Sequence, residues 1–347
     1  MSDSNSSSSS SEPSSRSSSP FDWVTQSGVQ VAGVPIQETF AEAFDMKMTR
    51  LVLTAADRQW CRDACYAMVG FGTSVIACGV EIAVERELTP GETPDGRPGA
   101  AILAFAVSGK ELEKQIPRRA GQCILTCPTT ALYAGLSGGR DVYPSRVPIG
   151  KTLRYFGDGL QISKQIRQTD THGKTETVRY WRIPVMDGEF VCQHDVGRTE
   201  AIGGGNFILM GRDLTAVSTA CRAAIEVIRP MPGVITPFPG GATRSGSKVG
   251  SKYAALFAST NEAFSPSVRE LAPTQLPPEA SVALEVVLDG VDFQSIADAM
   301  GAGITAACES VGAAGLVGVT AGNYGGKLGR HHFRLHEILS GIPGDES

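Results

Sequence analysis

Apolar residues recur along the chain at strand and helix spacings, and the elements they predict follow one order used twice. Leu51-Val-Leu-Thr54 is a short strand-like run leading to Asp57, a residue type suited to cap a helix. Trp60, Ala64, Ala67 and Met68 then share one helical face, Gly70 and Gly72 stop the helix, and Ser74–Cys78 reads as the next strand. The stretch Phe207–Ile228 has the same plan. Asp213 follows its strand as Asp57 does, Cys221 lies eight residues on as Cys65 does, and Gly233–Thr236 is the following strand. A second pair of units repeats in the same way. Ala101–Gly109 is a strand, Lys110–Arg119 a helix with Leu112 and Ile116 inward, and Gln122–Thr126 a strand. Their counterparts are Val282–Gly290, Asp292–Glu309 and Leu316–Thr320.

Each half therefore predicts βαβ followed by βαβ, the split unit of a ferredoxin-like sandwich. The fold class is α+β: two ferredoxin-like lobes in tandem, with antiparallel sheets and helices on one face. Between the halves, Gly135–Pro144 is rich in turn residues. Leu153–Phe156, Val178–Pro184 and Phe190–Cys192 read as strands, joined by turns at His172-Gly173 and Asp187-Gly188. The expected division is a tail of residues 1–27, a lobe of 28–150 and a lobe of 151–347.

Composition narrows the function classes. Of the first 19 residues 13 are serine, too polar to offset the entropy of ordering, so the tail is expected to be disordered. It lacks the basic start and apolar run of a secretory signal. No window approaches the ~18 apolar residues of a membrane span. A formal charge of −5, with both signs interspersed, disfavours nucleic acid as a partner. Eight cysteines without a signal fit a reducing cytoplasm, and none is spaced as CxxC. They read as buried thiols, and no metal is expected.

The candidate chemistry is sparse. Gly241-Ala-Thr-Arg-Ser-Gly246-Ser-Lys248 approaches a phosphate-binding loop but ends Ser-Lys rather than Lys-Ser, which excludes the magnesium-nucleotide arrangement. The remainder, Ser247-Lys248-Val-Gly-Ser251-Lys252, is either an anion contact or a solvated turn. Gly203-Gly-Gly-Asn206-Phe207 and Ala321-Gly-Asn323-Tyr324-Gly-Gly-Lys327 each join glycines to an Asn and an aromatic. Such clusters fit a ligand's approach to backbone or a tight turn or bulge. Glu285 alternates with Val286 and lies on the strand face of Ala283 and Val287. It is either a carboxylate on the wet face of a sheet or, if desolvated, an acid with a raised pKa. The pairing His332-x3-His336 lacks the Glu of a helical zinc motif. No Ser-His-Asp or Cys-His set can be assembled.

A series of motifs in order along the chain resembles the formylmethanofuran–tetrahydromethanopterin formyltransferase family. They include Phe40-Ala-Glu-Ala-Phe44, Gly70–Ile76, Glu92–Gly99, Gly121-Gln122-Cys123, Phe156–Gly159, Gly204–Phe207, Pro237–Gly241, Ser247–Lys252, Ala258–Asn261 and Ala321–Gly329. The resemblance begins near Gly33 and implies a homotetramer, no prosthetic group and a cleft near a subunit interface. It puts the family's proposed catalytic Glu at Glu285. The expected substrate contacts are Gln122, Asn206, Phe207, Ser247, Lys248, Ser251, Lys252 and Asn323, with the glycine-rich backbone, Asn206 or Asn323 as candidate oxyanion donors and Lys248 and Lys252 suited to the cofactors' anionic groups. Tetrahydromethanopterin and methanofuran are then co-substrates of a cytoplasmic acyltransferase that forms no acyl-enzyme. The serine tail and mild charge resemble a bacterial relative, a subunit of a formyltransferase/hydrolase complex. The competing readings are a non-catalytic scaffold of such a complex and a formyl hydrolase, for which no water-activating group is found.

Overall fold

The structure, a computed structural model, describes residues 19–169, 173, 175–244 and 247–341. β1 (Phe40–Thr54) runs into α1 (Arg58–Val69), whose first turn is closed by Asp57 accepting from the Trp60 amide at 2.9 Å. β2 (Glu81–Leu88), β3 (Gly99–Ala106), the Ser108-capped α2 (Gly109–Arg119) and β4 (Ala131–Ala134) complete the first unit. Its strands lie in the order β4, β1, β3, β2, every neighbouring pair antiparallel. β5 (Ile162–Thr169), β6 (Thr175–Val185) and β7 (Gly188–Gln193) extend this sheet through β7, which runs parallel to β4.

The second unit is β8 (Thr199–Gly211), α3 (Leu214–Ile228), the short strand Val234–Ile235, β9 (Val282–Gly290), α4 (Phe293–Gly315) and β10 (Leu316–Thr320). Asp213 and Asp292 cap its helices, each accepting a backbone N–H at 2.8 Å. Its strand order is β10, β8, β9, Val234–Ile235, again antiparallel. β11 (His331–Arg334) returns to pair with the start of β1. Phe44–Met48 of β1 also pair with Thr199–Gly203 of β8, and the described strands of both units thereby form one sheet.

Burial follows the pleat. Phe207, Leu209, Val286 and Leu288 lie beneath α3 and α4, while Leu51, Leu53 and Ile102 lie beneath α1 and α2. Trp181, Ile183 and Phe190 join the first of these two units' cores, so the strands from 162 to 193 pack with the first unit. The other face of the second unit, with Ile208, Met210 and Val317, is covered by Leu276, Ala280 and Trp23. Five cysteines are buried and three half-buried. Burial pushes the thiols of Cys78, Cys192, Cys221 and Cys308 up to about 12, where they stay protonated. Among the described residues no helix is long and apolar enough to cross a membrane.

Several elements differ from the sequence reading. Residues 1–18 and His172 lie outside the described residues, but 19–27 are ordered in part. Asp22–Gln26 form a helical turn, Trp23 packs on Gly318, and the Ser27 hydroxyl donates to the Ile36 carbonyl at 2.6 Å. An aromatic anchor after the serines thus offsets the entropy that the serines alone cannot. Ser74–Cys78 is a turn, with Phe71 and Ala77 at positive φ, and the strand starts at Glu81. Gln122–Thr126 continues α2 through a wider turn, Leu125 donating to the Ala120 carbonyl. The strand comes later, at Ala131. Leu153–Phe156 is helical, and its buried Leu153 beside exposed Tyr155 and Phe156 shows no alternation. The inward face of α1 is Cys61, Ala64, Cys65 and Met68, with Trp60 turned outward.

Candidate active site

Glu285 sits in β9, opposite Ile208 of β8 on one side and Thr243 of the short strand Ala242–Thr243 on the other. Its neighbours Val286 and Leu288 point under the helices, so the pleat turns Glu285 to the opposite face. That face is only partly covered, and Glu285 is half-buried. Thr243, Arg244, Thr260, Asn261 and Phe264 border a small cavity of about 30 Å³ beside it. Desolvation there pushes the Glu285 carboxyl up to about 7, so it is half protonated near neutral pH.

The other wall is the loop Ala321–Gly329. A Cβ placed on Gly322 would lie 3.6 Å from Glu285 Oε1. Asn206, on β8, fixes that glycine: its Oδ1 accepts from the Gly322 amide at 2.6 Å and its Nδ2 donates to the Gly322 carbonyl at 3.2 Å. The same Nδ2 donates to the Gly204 carbonyl at 3.0 Å. Asn323 donates to the Phe40 carbonyl at 3.2 Å and accepts from the Gly325 amide at 3.1 Å. Beneath the loop lies Glu42 of β1, 1% exposed, whose oxygens accept four backbone amides. Tyr324 and Gly326 donate to Oε2 at 2.6 and 2.8 Å, and Leu328 and Gly329 to Oε1 at 2.6 Å each. Burial alone would raise this carboxyl, but the four amides outweigh it and hold Glu42 below the ordinary range. Tyr324 is pushed up by burial, and further by the charges of Glu285 and Glu42.

The structure thus brings Glu285, Asn206 and Asn323 together around one loop, and the amide donors of both asparagines are engaged with protein carbonyls. Phe207 is a correction: it is fully buried under α4, where a Cβ on Gly303 would touch its ring, and its side chain does not reach the cavity. The three glycines before Asn206 form a bulge where β1, β8 and β9 meet, so close packing explains them without a ligand. Ser247–Val249 pairs with Ala258–Thr260 in a hairpin whose Thr260 borders the Glu285 cavity. Lys248 is ion-paired with Glu262, Ser251 accepts the Tyr253 amide at 3.1 Å, and Lys252 is exposed. Ser245, Gly246 and the Ser247 side chain lie outside the described residues. Gln122 is exposed at the end of α2, in the other unit from Glu285.

His331 and His332 lie on β11 as expected of a strand, His331 bonded to Asp45 at 2.8 Å, while His336 begins a short helix. No group of three or more His, Cys, Asp or Glu among the described residues is arranged to hold a metal. A larger cavity of about 780 Å³ lies between α1 and β2 of the first unit and the end of α3, and Glu285 is not in it. Of the two, only the smaller cavity places a partly desolvated acid beside a loop of fixed backbone groups. Sequence reasoning missed Glu42 and Arg244. Glu42 carries the signal that singled out Glu285, a carboxylate between small apolar residues on a strand.

The family model described as formylmethanofuran–tetrahydromethanopterin formyltransferase matches residues 29–185, and the model described as its proximal lobe matches residues 188–338. A formylmethanofuran–tetrahydromethanopterin formyltransferase from Rhodopirellula baltica is 69% identical over 316 residues, 91% of this chain and 95% of the relative. Among solved structures, the formyltransferase/hydrolase complex of Methylorubrum extorquens with methylofuran contains a chain 46% identical, with TM-score 0.83, covering 90% of this chain and 98% of that one. The formyltransferase of Methanosarcina barkeri is 39% identical with TM-score 0.78, covering 89% and 100%.

Proposed function

This chain belongs to the formylmethanofuran–tetrahydromethanopterin formyltransferase family, and from that premise we propose that Glu285 is the acid–base group of a formyl transfer between two nitrogens. The enzyme is an acyltransferase acting in one-carbon metabolism, with tetrahydromethanopterin and a methanofuran-type amine as co-substrates. The role of Glu285 is carried by its placement, a half-buried carboxyl on β9 whose Oε1 lies 3.6 Å from the Cβ position of the Asn206-bound Gly322, where desolvation pushes it up to about 7.

A formamide is resonance-stabilised, so the acceptor nitrogen must add to its carbon and form a tetrahedral intermediate. The carbon–nitrogen bond then breaks, and the departing nitrogen takes the proton of Glu285, because an amide anion is too basic to leave unprotonated. The carboxylate left behind accepts the proton shed by the incoming nitrogen. Both directions therefore use the same group. Arg244 brings a positive charge to the cavity in which the oxyanion develops. Lys252 is exposed and suited to the anionic part of a cofactor, whereas Lys248 is engaged with Glu262 and Asn206 and Asn323 serve the loop.

The repeated fourth-first-third-second strand order supports reading each unit as ferredoxin-like. On this reading residues 28–150 hold the whole first unit and the second begins at β8. Self-association as a tetramer and membership of a larger complex belong to the same proposal. The relative in the Methylorubrum structure is part of such a complex. An absorbance assay of the purified chain alone, with formyl-tetrahydromethanopterin and the furan amine, separates the enzyme from the scaffold. Formyl exchange is expected, and its absence from folded protein would favour the scaffold.

A further inference from the structure

We propose that Glu42 is a positioning residue for this reaction, holding the loop Ala321–Gly329 against Glu285 and so limiting the water around the acid. The inference rests on Glu285 as the acid–base group, and it concerns a residue of the other unit. Burying a carboxylate is costly unless its oxygens are fully satisfied. Glu42 lies 1% exposed on β1 and is satisfied by the loop itself, through the amides of Tyr324, Gly326, Leu328 and Gly329. Such charge-assisted bonds are about twice as strong as neutral ones. Gly325 and Gly326 stand at φ +78° and +70°, a backbone that turns successive amides toward one anion. The loop is thus wrapped around a negative charge.

Its near end meets the acid. Gly322 is tied to Asn206, and its α-carbon side faces Glu285 Oε1. Tyr324 binds Glu42 through its amide, burial and then the charges of Glu285 and Glu42 raise its phenol, and its ring lies 6.0 Å from that of Phe44. Without the charge on Glu42, two of the four amides would meet an NH₂ group instead of an acceptor, and the loop would lift. Glu285 would then be more fully hydrated and its carboxyl would return toward the ordinary range. Among the described residues, other titratable or charged groups on or beside this assembly are Tyr324 and Lys327 of the loop, Arg244 bordering the Glu285 cavity, and His332 beside Gly326.

The test is the pH dependence of formyl transfer by the full chain and by Glu42→Gln, Glu285→Gln and the double variant. Glu42→Gln is expected to lower kcat roughly 10- to 100-fold with KM for the furan amine nearly unchanged. Its alkaline fall in rate, set at about 7 by Glu285 in the unsubstituted enzyme, moves to lower pH. In the Glu285→Gln background the second substitution adds little, because the group it serves is gone. If Glu42→Gln does not fold, Glu42→Asp keeps the charge, retracts it by one methylene and should show a smaller shift in the same direction. An unshifted alkaline limb, or losses that simply add, overturns the proposal while Glu285 stands. A Glu285→Gln enzyme with undiminished kcat overturns both.

Discussion

Glu42 and Glu285 are both strand carboxylates between small or aliphatic residues, yet they are driven in opposite directions. Four amides stabilise the charge of Glu42, whereas desolvation dominates at Glu285. Alternation in Val282–Gly290 was enough to place Glu285 apart from the core face. How far that face is covered depends on Thr243, Asn261 and Gly322, which no local spacing brings near. Glu42 shows the same strand pattern, but the amides that bind it lie 282 to 287 residues along the chain, beyond any local spacing. Phe207 shows the converse, an aromatic in a motif whose side chain lies buried in the core. Phe207→Leu is expected to cost about 1 kcal/mol of stability and to leave KM for either co-substrate unchanged. Thermal melts and steady-state kinetics check this, and a raised KM at unchanged stability would return Phe207 to the site.

The helices were legible as elements because aspartates announce them. Asp57, Asp213 and Asp292 each close a first turn, as their positions after a strand predict. Short apolar runs were the weak point. Gln122–Thr126 and Leu153–Phe156 are as compatible with a helical turn as with a strand, and packing chose the turn. The glycine triplet in β8 was ambiguous between ligand approach and bulge, and the crossing of three strands decides it. A Cβ on Gly203 would come within 2.0 Å of Met46 Sδ and 2.8 Å of Asp289 Oδ1, while Gly204 stands at φ +93°. Met46 can give way, but Asp289 is held by the Gly204 amide at 3.1 Å. Gly203→Ala should therefore destabilise by about 1–3 kcal/mol. Denaturant unfolding measures it, and a neutral result would mean the junction is looser than this packing.

At the scale of the whole molecule, the repeat was legible and the way its copies join was not. Arg50 holds the buried Glu85 through two bonds of 2.7 Å, and Glu85 in turn accepts the Gly233 amide at 2.7 Å, so a pair in the first unit fixes a loop of the second. Beside it Glu81 of β2 meets Asp289 of β9. Burial, and then the mutual repulsion of the pair, raises Asp289 well above the ordinary range. Burial raises Glu81 as well. The folded state thus keeps protons that the unfolded chain releases near pH 4. The stabilisation is complete below that pH and is lost as pH rises toward the folded-state values. Asp289→Asn replaces one carboxyl with an amide that donates to Glu81. Between pH 5 and 8 the native enzyme should lose roughly 2–4 °C more in melting temperature than the variant. Parallel slopes would show that the pair carries no linked proton.

Formyl transfer driven by a proton held on Glu285 gives kcat a distinct dependence on pH, measured for the native chain and Glu285→Gln. The native rate should fall on the alkaline side from about pH 7. The variant should lose roughly 100-fold or more in kcat at nearly constant KM, and with it that fall. A variant that keeps the native kcat, or keeps the same alkaline limb at a lower rate, would contradict the account.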